Sequence, residues 1–318
     1  DFDFFRRLRE FCKGKKSDFW LMGEIIHGDY SRWANPEMLD SVTNYECYKG
    51  IYSSHNDHNY FEIAHSLQRQ FANGGIYKNI YTYNFLDNHD VNRLASNLRD
   101  KRHLKNCYAV LYTMPGAPSV YYGSEWGIEG QRTWNNDDVL RPCLDLNNIP
   151  NTDNELCDYI SKLGYIRRAL PAIKDGSFEN TVIKNEQLVF CRRAEGQTVY
   201  VAFNLCDHDE KIGFNVDGGY STLTDVLNDN ESFAASGYVE INIPANSARI
   251  LVLNNGDFRI EYNGESANQS VEQAQEQEQE PTPTPQKPVV GETARRADGS
   301  ECKIVAITTD CETGEEIV

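Results

Sequence analysis

Hydrophobic positions in the first 176 residues recur with a helical period in some stretches and form short continuous runs in others. The apolar run FWLM at 19–22 is typical of a parallel strand that is buried on both faces. In chain order, the pattern predicts a helix around 4–12, strands at 19–22 and 38–45, a helix at 60–71, a strand at 80–86, a helix at 103–114, a strand at 117–122 and a helix at 155–173. Four strands that alternate with helices predict a parallel α/β fold.

From residue 178 to residue 254 the hydrophobic period changes to two. The clearest strands are predicted at 188–193, 198–203 and 249–253, and turns such as AEGQ at 194–197 separate them. This alternation is typical of antiparallel strands. It predicts a compact antiparallel β domain after the α/β region.

The remaining residues differ in composition from both regions. The segment after the β domain contains QEQEQE followed by PTPTP, and such a composition cannot bury a core, so a disordered acidic linker is predicted. An apolar run at 304–307 leaves a hairpin open for the last segment. We therefore divide the chain into residues 1–176, residues 177–256, a linker at 257–292 and a short terminal segment at 293–318.

The charge of the chain restricts its partners. The formal net charge is −17, and residues 261–318 contribute more than half of it, with 13 acidic against 4 basic side chains. An acidic chain without a basic stripe repels phosphate backbones, so no nucleic-acid partner is expected. No apolar run approaches the roughly 18 residues of a membrane helix, so no membrane partner is expected either.

The nine cysteines are scattered, with no C-x-x-C pair and with neither zinc-ligand spacing nor a dense disulfide framework. Dispersed thiols favour a reducing compartment, so a cytoplasmic location is expected. The sequence starts at Asp1 inside a helical pattern. A signal peptide upstream would not be visible, which leaves secretion open as the alternative.

Polar residues follow the predicted parallel strands where these end. Glu24 follows the first strand, Asn44 closes the second, NHD at 88–90 follows the third and SE at 124–125 follows the fourth. Parallel strands direct such residues into one shared mouth. Two carboxylates at one mouth are the working parts of glycosidic-bond hydrolysis, in which one of them protonates the leaving oxygen. Glu24 suits this acid, because its apolar neighbours predict a partly desolvated setting that favours a protonated carboxyl group.

Each of these residues also has a purely structural explanation. Glu24 could be an ordinary carboxylate at a strand end, and Asp90 could cap the next helix. His89 could be a hydrogen-bonded structural histidine instead of a donor to sugar hydroxyls. Their combination favours chemistry over these separate explanations.

Three segments together resemble ordered motifs of the α-amylase family of glycoside hydrolases. They are FWLMGE at 19–24, FLDNHD at 85–90 and GAPSVYYGSE at 116–125. The resemblance covers roughly residues 1–255. It implies an α/β fold consisting of the C-terminal half of a (β/α)₈ TIM barrel followed by an antiparallel β-sandwich domain, with the disordered acidic tail after it.

The resemblance also implies roles for individual residues. Glu24 corresponds to the general acid/base, Asp90 to the transition-state stabiliser, and His89 to a residue that contacts the sugar where positive charge develops. The other candidate substrate-binding residues are Asn88, Arg93 and His27. His27 and the segment 123–142 are most similar to the neopullulanase and cyclomaltodextrinase branch, which implies a retaining hydrolase or transglycosylase acting on starch-derived α-glucans or maltodextrins.

One departure from the family pattern affects activity. The nucleophilic Asp of the family would precede the helix that begins with DFF at 3–5, so we expect the nucleophile and four barrel strands to lie outside this chain. The chain alone is then expected to be inactive. A noncatalytic sugar-binding or partner-binding protein on the same scaffold is the alternative. No cofactor is expected, although a Ca²⁺ site stays open for the missing N-terminal half.

A group of metal-ligating residue types lies at 55–65, where His58, Glu62 and His65 have the spacing of one helical face. Such a group suggests a metal site, but its spacing also fits a solvated polar face. No Ca²⁺ loop of the D-x-D-x-D-G type is visible. We therefore assign no metal ligand from the sequence.

Overall fold

The computed structural model describes residues 2–148 and 154–262, together with four short strands near the C-terminus. The chain divides into two units, Asp1–Gly264 and Glu265–Val318. The first unit contains an α/β region followed by a β region. The boundary between these regions lies between a helix that ends at Asp175 and a strand that begins at Ser177.

The α/β region alternates helices with short strands. The helices are α1 (Phe2–Lys15), α2 (Tyr45–Asn56), α3 (Phe61–Phe71), α4 (Leu94–Asn97), α5 (Leu104–Thr113), α6 (Asn154–Ala169) and α7 (Pro171–Asp175), with 3₁₀ turns at Tyr30–Arg32, Lys101–His103, Ser124–Trp126 and Asp138–Leu140. The strands are β1 (Met22–Gly23), β2 (Ser41–Val42), β3 (Tyr83–Phe85) and β4 (Ala117–Ser119). Strand β1 pairs with β2 and β3 with β4, and a bridge between Thr43 and Tyr83 joins β2 to β3, all in parallel orientation. The four strands therefore lie side by side in chain order.

Two helices differ from the sequence-based prediction. Helix α2 was missed, because the positions it buries at helical spacing are small or polar residues such as Gly50 and His55. The helix predicted at 155–173 is divided into α6 and α7 at Leu170. Pro171 causes the break, since it lacks a donor N–H and disfavours helical geometry at the preceding residue.

The predicted burial of the first strand is wrong. Phe19, Trp20 and Met22 are 45%, 44% and 40% exposed, and only Leu21 is buried. Within the described residues β1 pairs only with β2. Its other edge and much of its surface are therefore uncovered, whereas a continuous apolar run is expected where both faces of a strand are covered.

The β region contains eight antiparallel strands. They are β5 (Ser177–Ile183), β6 (Gln187–Ala194), β7 (Gln197–Asn204), β8 (Glu210–Asn215), β9 (Thr222–Asp225), β10 (Glu231–Ala234), β11 (Tyr238–Ile243) and β12 (Ser247–Asn254). Six of them form one sheet in the order β10-β9-β12-β7-β6-β5, and β8 pairs with β11. This region is rich in antiparallel sheet, in agreement with the period of two in its sequence.

The six-stranded sheet is covered on both faces. Leu188 and Phe190 of β6 lie in one apolar cluster with residues of the helices. Val189 and Cys191, which alternate with them, lie in a second cluster that includes Ile212 of β8 and residues of β11. The central strands of the sheet therefore have almost unbroken apolar sequences, even though they are antiparallel.

The linker predicted at 257–292 begins too early. Ile260 is 8% exposed, and its backbone N–H and C=O are both hydrogen-bonded to the Asn230 side chain. The Tyr262 ring lies 5.6 Å from that of Tyr165. Residues 257–262 thus belong to the packed first unit, and the rest of the predicted linker lies outside the described residues.

In the second unit, β13 (Thr293–Arg295) pairs with β14 (Glu301–Lys303), and β15 (Thr308–Thr309) pairs with β16 (Glu316–Ile317). Both pairs are antiparallel. The apolar run at 304–307 lies outside the described residues. Among the described helices of the whole chain, none is both long and apolar enough to cross a membrane.

Candidate active site

Glu24 lies immediately after β1, at the carboxyl end of the parallel sheet. Its Oε1 accepts a 2.7 Å hydrogen bond from the Tyr45 hydroxyl group at the start of α2. The partly desolvated setting predicted for Glu24 is wrong for this structure. The side chain is exposed, and its apolar neighbours Met22 and Ile26 do not cover it because they are exposed themselves.

Tyr45 connects two ends of the parallel sheet. Its hydroxyl oxygen also accepts a 3.1 Å hydrogen bond from Nδ2 of Asn88, which follows β3. Burial, followed by the hydrogen bond to Glu24, raises the pKa of Tyr45 to about 12. The phenol therefore stays protonated at neutral pH and donates its proton to the Glu24 carboxylate.

Asn88 shapes the turn that carries the neighbouring candidates. Its Oδ1 accepts hydrogen bonds from the backbone N–H groups of Asp90 and Val91, at 2.8 and 3.0 Å. Side chains of Asn commonly stabilise turns in this way. With Nδ2 bound to Tyr45, Asn88 positions the turn, and the proposed contact with substrate stays a prediction.

Asp90 lies in this turn with a half-exposed side chain. Its Oδ1 is 2.9 Å from Nη2 of Arg141, and its Oδ2 is 3.4 Å from Nε2 of the exposed His89. It does not cap α4, because the N–H of Leu94 is bound by Asp87 instead. Asp90 therefore presents a carboxylate to the open end of the sheet, beside a cation and an imidazole.

The predicted contact of Arg93 with substrate is wrong for this structure. It is fully buried, and its guanidinium donates to the carbonyl oxygens of Tyr122 and Leu140 and to the Ser124 hydroxyl. It also lies over the ring of Tyr121, 4.2 Å from the centroid. A sugar has no access to it. Arg93 instead holds together the loops that follow β4, from which Arg141 reaches Asp90.

Beneath Arg93 lies the buried carboxyl group of Asp87. It accepts hydrogen bonds from the N–H of Leu94 at 2.7 Å and from the Ser124 hydroxyl at 2.8 Å. Burial raises its pKa, and the hydrogen bonds and the Arg93 charge oppose this effect. Asp87 therefore supports the floor of the site and does not face its mouth.

His27 is exposed and lines a cleft of about 540 Å³. Tyr45 lines the same cleft and is hydrogen-bonded to Glu24, so the cleft adjoins the candidate acid. The remaining lining residues are Ile26, Gly28, Tyr30, Glu46, Tyr48, Lys49 and Arg69. The geometry is compatible with the predicted substrate contact of His27, which stays a prediction.

The other polar strand ends are structural. Asn44 is buried and hydrogen-bonds to Gln70 and Asn84 while capping α2. Ser124 is buried between Arg93 and Asp87. Glu125 has a buried oxygen for which the described residues provide no hydrogen-bond partner.

Two residues at the site were missed. Tyr45 follows Asn44 at the end of the second predicted strand, so its position was a usable signal. Arg141 lies 51 residues from Asp90 in sequence, and no local pattern indicates their contact. The group at 55–65 does not form a site: His58 binds Glu186, whereas Glu62 contacts Lys49.

Comparison with known proteins identifies the family. The family model of the α-amylase catalytic domain matches residues 1–176. The maltogenic α-amylase of Bacillus acidopullulyticus is 25% identical over 256 residues, which are 78% of this chain and 42% of that protein. The cyclomaltodextrinase of Geobacillus thermopakistaniensis is 27% identical over 241 residues, 74% of this chain and 40% of that protein.

Among solved structures, the Geobacillus thermoleovorans α-amylase complexed with acarbose matches with a TM-score of 0.69 at 22% identity, covering 80% of this chain and 58% of that chain. This likeness shows a shared fold. The chain spans about two fifths of the two curated relatives. The three motifs, the parallel sheet and the matched domain agree, and the chain belongs to the α-amylase catalytic-domain family.

Proposed function

We propose that this chain supplies the general acid/base, Glu24, and the transition-state-stabilising carboxylate, Asp90, of a retaining α-glucosidic hydrolase or transglycosylase. The observation that carries the proposal is the hydrogen-bonded connection from Glu24 through Tyr45 to Asn88. This connection holds the two carboxylate-bearing strand ends at one mouth. Family membership supports the same assignment.

Glu24 acts first as an acid and then as a base. In a retaining mechanism the acid protonates the leaving oxygen, and its conjugate base then activates the water or acceptor sugar. The hydrogen bond from Tyr45 orients one oxygen of Glu24, which leaves the other for the glycosidic oxygen. Substrate supplies the desolvation that the open site lacks, because a sugar seated over Glu24 excludes water.

Asp90 stabilises the positive charge that develops on the sugar ring. Arg141 holds its Oδ1, and the Asn88 turn fixes its backbone. His89 lies next to it and is exposed toward solvent, where it can donate to a sugar hydroxyl. The mechanism uses carboxylates and requires no cofactor.

The barrel and its nucleophile form the second part of the proposal. Phe4 and Phe11, seven residues apart on α1, are 61% and 66% exposed, and Phe19 and Trp20 before β1 are also exposed. Apolar surface of this kind beside an uncovered sheet edge suits a closed barrel that further strands complete. We propose that those strands carry the attacking Asp, since a retaining enzyme needs a second carboxylate about 5 Å from the acid.

The proposed substrates are maltodextrins and related α-glucans. Two of the curated relatives are named a maltogenic amylase and a cyclomaltodextrinase, and a structure with the same fold contains acarbose. The cleft beside Tyr45 and His27 supplies aromatic and polar surface next to Glu24. Aromatic faces are suited to the flat apolar sides of sugar rings.

Trapping of the glycosyl intermediate tests the proposal. In the complete gene product carrying Glu24→Gln, α-maltosyl fluoride should still glycosylate the nucleophile, because fluoride leaves without an acid, and the intermediate should then accumulate for lack of a base. Peptide mapping by mass spectrometry locates the label. We expect it on an Asp outside residues 2–262.

Two outcomes would contradict this assignment. A label on Asp90 would make Asp90 the nucleophile and not a stabiliser. Retained maltodextrin binding by the unmutated protein, with no label and no turnover, would indicate the noncatalytic sugar-binding alternative.

A further inference from the structure

A cluster of metal-ligating side chains lies in the β region, away from the candidate active site. Cys206, His208 and Glu210 each offer one ligand atom, and these atoms all lie within 4.8 Å of one another. His208 Nε2 and a Glu210 carboxylate oxygen are 2.8 Å apart. Cys206 is buried, Glu210 is half-buried and His208 is exposed, so the thiol lies at the base of an open site.

The local chain geometry explains why the three side chains converge. They lie in the turn that connects β7 to β8 and at the first position of β8, and the backbone bends at residues 206–208 and so brings the three side chains together. Asn204 fixes this turn from within. Its Oδ1 accepts from the N–H of Cys206 at 3.0 Å, and its Nδ2 donates to the carbonyl oxygen of His208 at 2.9 Å.

A carboxylate from the neighbouring turn between β5 and β6 contacts the Cys206 sulfur. Glu186 Oε2 lies 3.3 Å from the Cys206 sulfur, and its Oε1 lies 2.7 Å from Nδ1 of His58. Gln187 Nε2 donates to the same sulfur at 3.1 Å. A carboxylate therefore already lies beside the thiol, and an amide N–H that contacts the sulfur can stabilise negative charge on it.

We propose that Cys206, His208, Glu210 and Glu186 bind one Zn²⁺ ion. A thiolate, an imidazole and carboxylates are the ligand types of Zn²⁺, and the thiolate argues against the oxygen-preferring Ca²⁺ and Mg²⁺. Tetrahedral Zn²⁺, with ligand bonds of about 2.0–2.3 Å, separates ligand atoms by roughly 3.5 Å. The ligand atoms of Cys206, His208 and Glu210, all within 4.8 Å of one another, therefore need only small closing movements. The Glu186 carboxylate, which lies 3.3 Å from the sulfur, has to turn toward the other two ligands.

Zn²⁺ binding would replace the contact between the Cys206 thiol and the Glu186 carboxylate with a contact of each group with the metal ion. The Cys206 thiol releases its proton to solvent, and the Glu186 oxygen that faced this proton then faces the metal. His58 keeps its contact with the other Glu186 oxygen, an outer interaction that commonly orients ligands at metal sites. Because His58 lies between α2 and α3, the ion would fasten two turns of the β region to the α/β region.

Metal titration of the full chain tests this proposal. After chelator treatment and dialysis, Co²⁺ is added as a spectroscopic probe, and Zn²⁺ is added to displace it. We expect one equivalent of Co²⁺ to produce the near-ultraviolet charge-transfer band of a cobalt–thiolate bond and Zn²⁺ to abolish it. Zn²⁺ at about 100 times its Kd should raise the Tm by roughly 5 °C or more.

Matched variants identify the ligands. Cys206→Ser should remove the charge-transfer band, whereas Cys157→Ser should keep it. His208→Gln and Glu186→Gln should each weaken Zn²⁺ binding by about tenfold or more, and His65→Gln should not. Since the His208 side chain is 69% exposed, its substitution leaves the fold intact even if the Cys206 variant is unstable.

Two results would overturn the proposal. One is the absence of saturable Co²⁺ or Zn²⁺ binding by the unmutated chain. The other is equal affinity in the unmutated protein and the His208→Gln variant, together with a thiolate band that survives Cys206→Ser.

Discussion

The α/β region and the β region differ in how much large apolar surface they leave exposed. Strands of the parallel sheet have at most three residues, whereas β6, β7 and β12 of the six-stranded sheet have eight each. Of the 14 large hydrophobic residues exposed in the described chain, 13 lie between residues 4 and 146, and only Tyr238 lies in the β region. The β region leaves little large apolar surface exposed, and the α/β region leaves much more.

The difference follows from what packs on each sheet. Helices cover one face of the six-stranded sheet and the β8–β11 pair covers the other, so its core strands are buried on both sides. The parallel sheet has a helical layer, but β1 pairs with only one strand in the described chain. The candidate catalytic residue Glu24 lies beside this uncovered edge. The candidate site and the incomplete coverage therefore occur in the same region.

The largest effect is expected for the α/β region, in catalysis. In the complete enzyme, Glu24→Gln should lower kcat on maltodextrins by about 10³-fold, because the leaving oxygen is no longer protonated. An activated aryl α-glucoside should lose much less in the glycosylation step, since its leaving group needs little protonation. Single-turnover kinetics with both substrates provides the comparison. Equal losses in that step would argue against the acid role.

The next largest effect concerns stability where the two regions meet. Phe203 of β7 is fully buried, with its ring 6.1 Å from Tyr60 and 5.7 Å from Phe190. Phe203→Ala should lower the free energy of unfolding by about 3–5 kcal/mol, because it opens a cavity that the surrounding side chains cannot fill. Denaturant unfolding measures the change.

The control is an equally large ring in the α/β region. Phe11→Ala should change the free energy of unfolding of this chain by less than about 0.5 kcal/mol, because the ring is 66% exposed. In the complete enzyme the same substitution should cost more if further barrel strands cover α1. Equal small effects in both proteins would contradict the proposed barrel closure.

The sequence was most informative where pattern and packing agree. The four parallel strands of the α/β region and the change to antiparallel sheet near residue 177 were predicted from hydrophobic periodicity. Helix α2 was not, because it buries Gly50, Ser54 and His55 where the pattern requires large apolar residues. The burial of 19–22 was mispredicted for the opposite reason, since an apolar run indicates what a strand can bury and not what covers it.

The site was predictable to the extent that motifs lie at strand ends. Glu24 follows β1, and His89 and Asp90 follow β3, so all three lie at the carboxyl end of the parallel sheet. Arg93 was misassigned, because sequence proximity to Asp90 does not show that its guanidinium is buried beneath the loops. The candidate metal ligands at Cys206 were not predicted, because paired cysteines are the usual sequence signal of a metal site. Here a single thiol is followed at alternate positions by His208 and Glu210.

Acid sensitivity should also distinguish the regions. The fully buried histidines His55 and His103 lie in the α/β region, and the only histidine of the β region, His208, is exposed. Burial lowers the pKa of His55 to about 3, whereas an unfolded histidine titrates near pH 6.5. The unfolded chain therefore binds a proton that the folded chain does not. The contribution of the neutral, buried His55 to the free energy of unfolding is therefore complete above about pH 6.5, and it is lost as the pH falls toward 3.

The expected loss from His55 is about 1.4 kcal/mol per pH unit, or about 2 kcal/mol at pH 5. Unfolding free energies of the unmutated chain and of His55→Leu, measured from pH 7.5 to 5, isolate this contribution. The difference between the two proteins should narrow by about 2 kcal/mol over that range. His65→Gln, at an exposed position on α3, is the control and should leave the pH dependence unchanged. Parallel curves for the unmutated chain and His55→Leu would exclude the proposed proton uptake.

The smallest effect is expected when the chain is cut after Tyr262, which lies beyond the start that the sequence predicted for the linker. A chain that ends at Tyr262 should have a Tm within about 1–2 °C of the full chain, since the Gln- and Pro-rich composition that follows cannot bury a core. A chain that ends at Asn254 should melt roughly 5–10 °C lower, because it loses the buried Ile260 side chain and the hydrogen bonds to Asn230. If both truncations melted like the full chain, the contacts of residues 257–262 would contribute nothing measurable. If both melted lower, the segment after Tyr262 would contribute to the stability of the first unit, contrary to its composition.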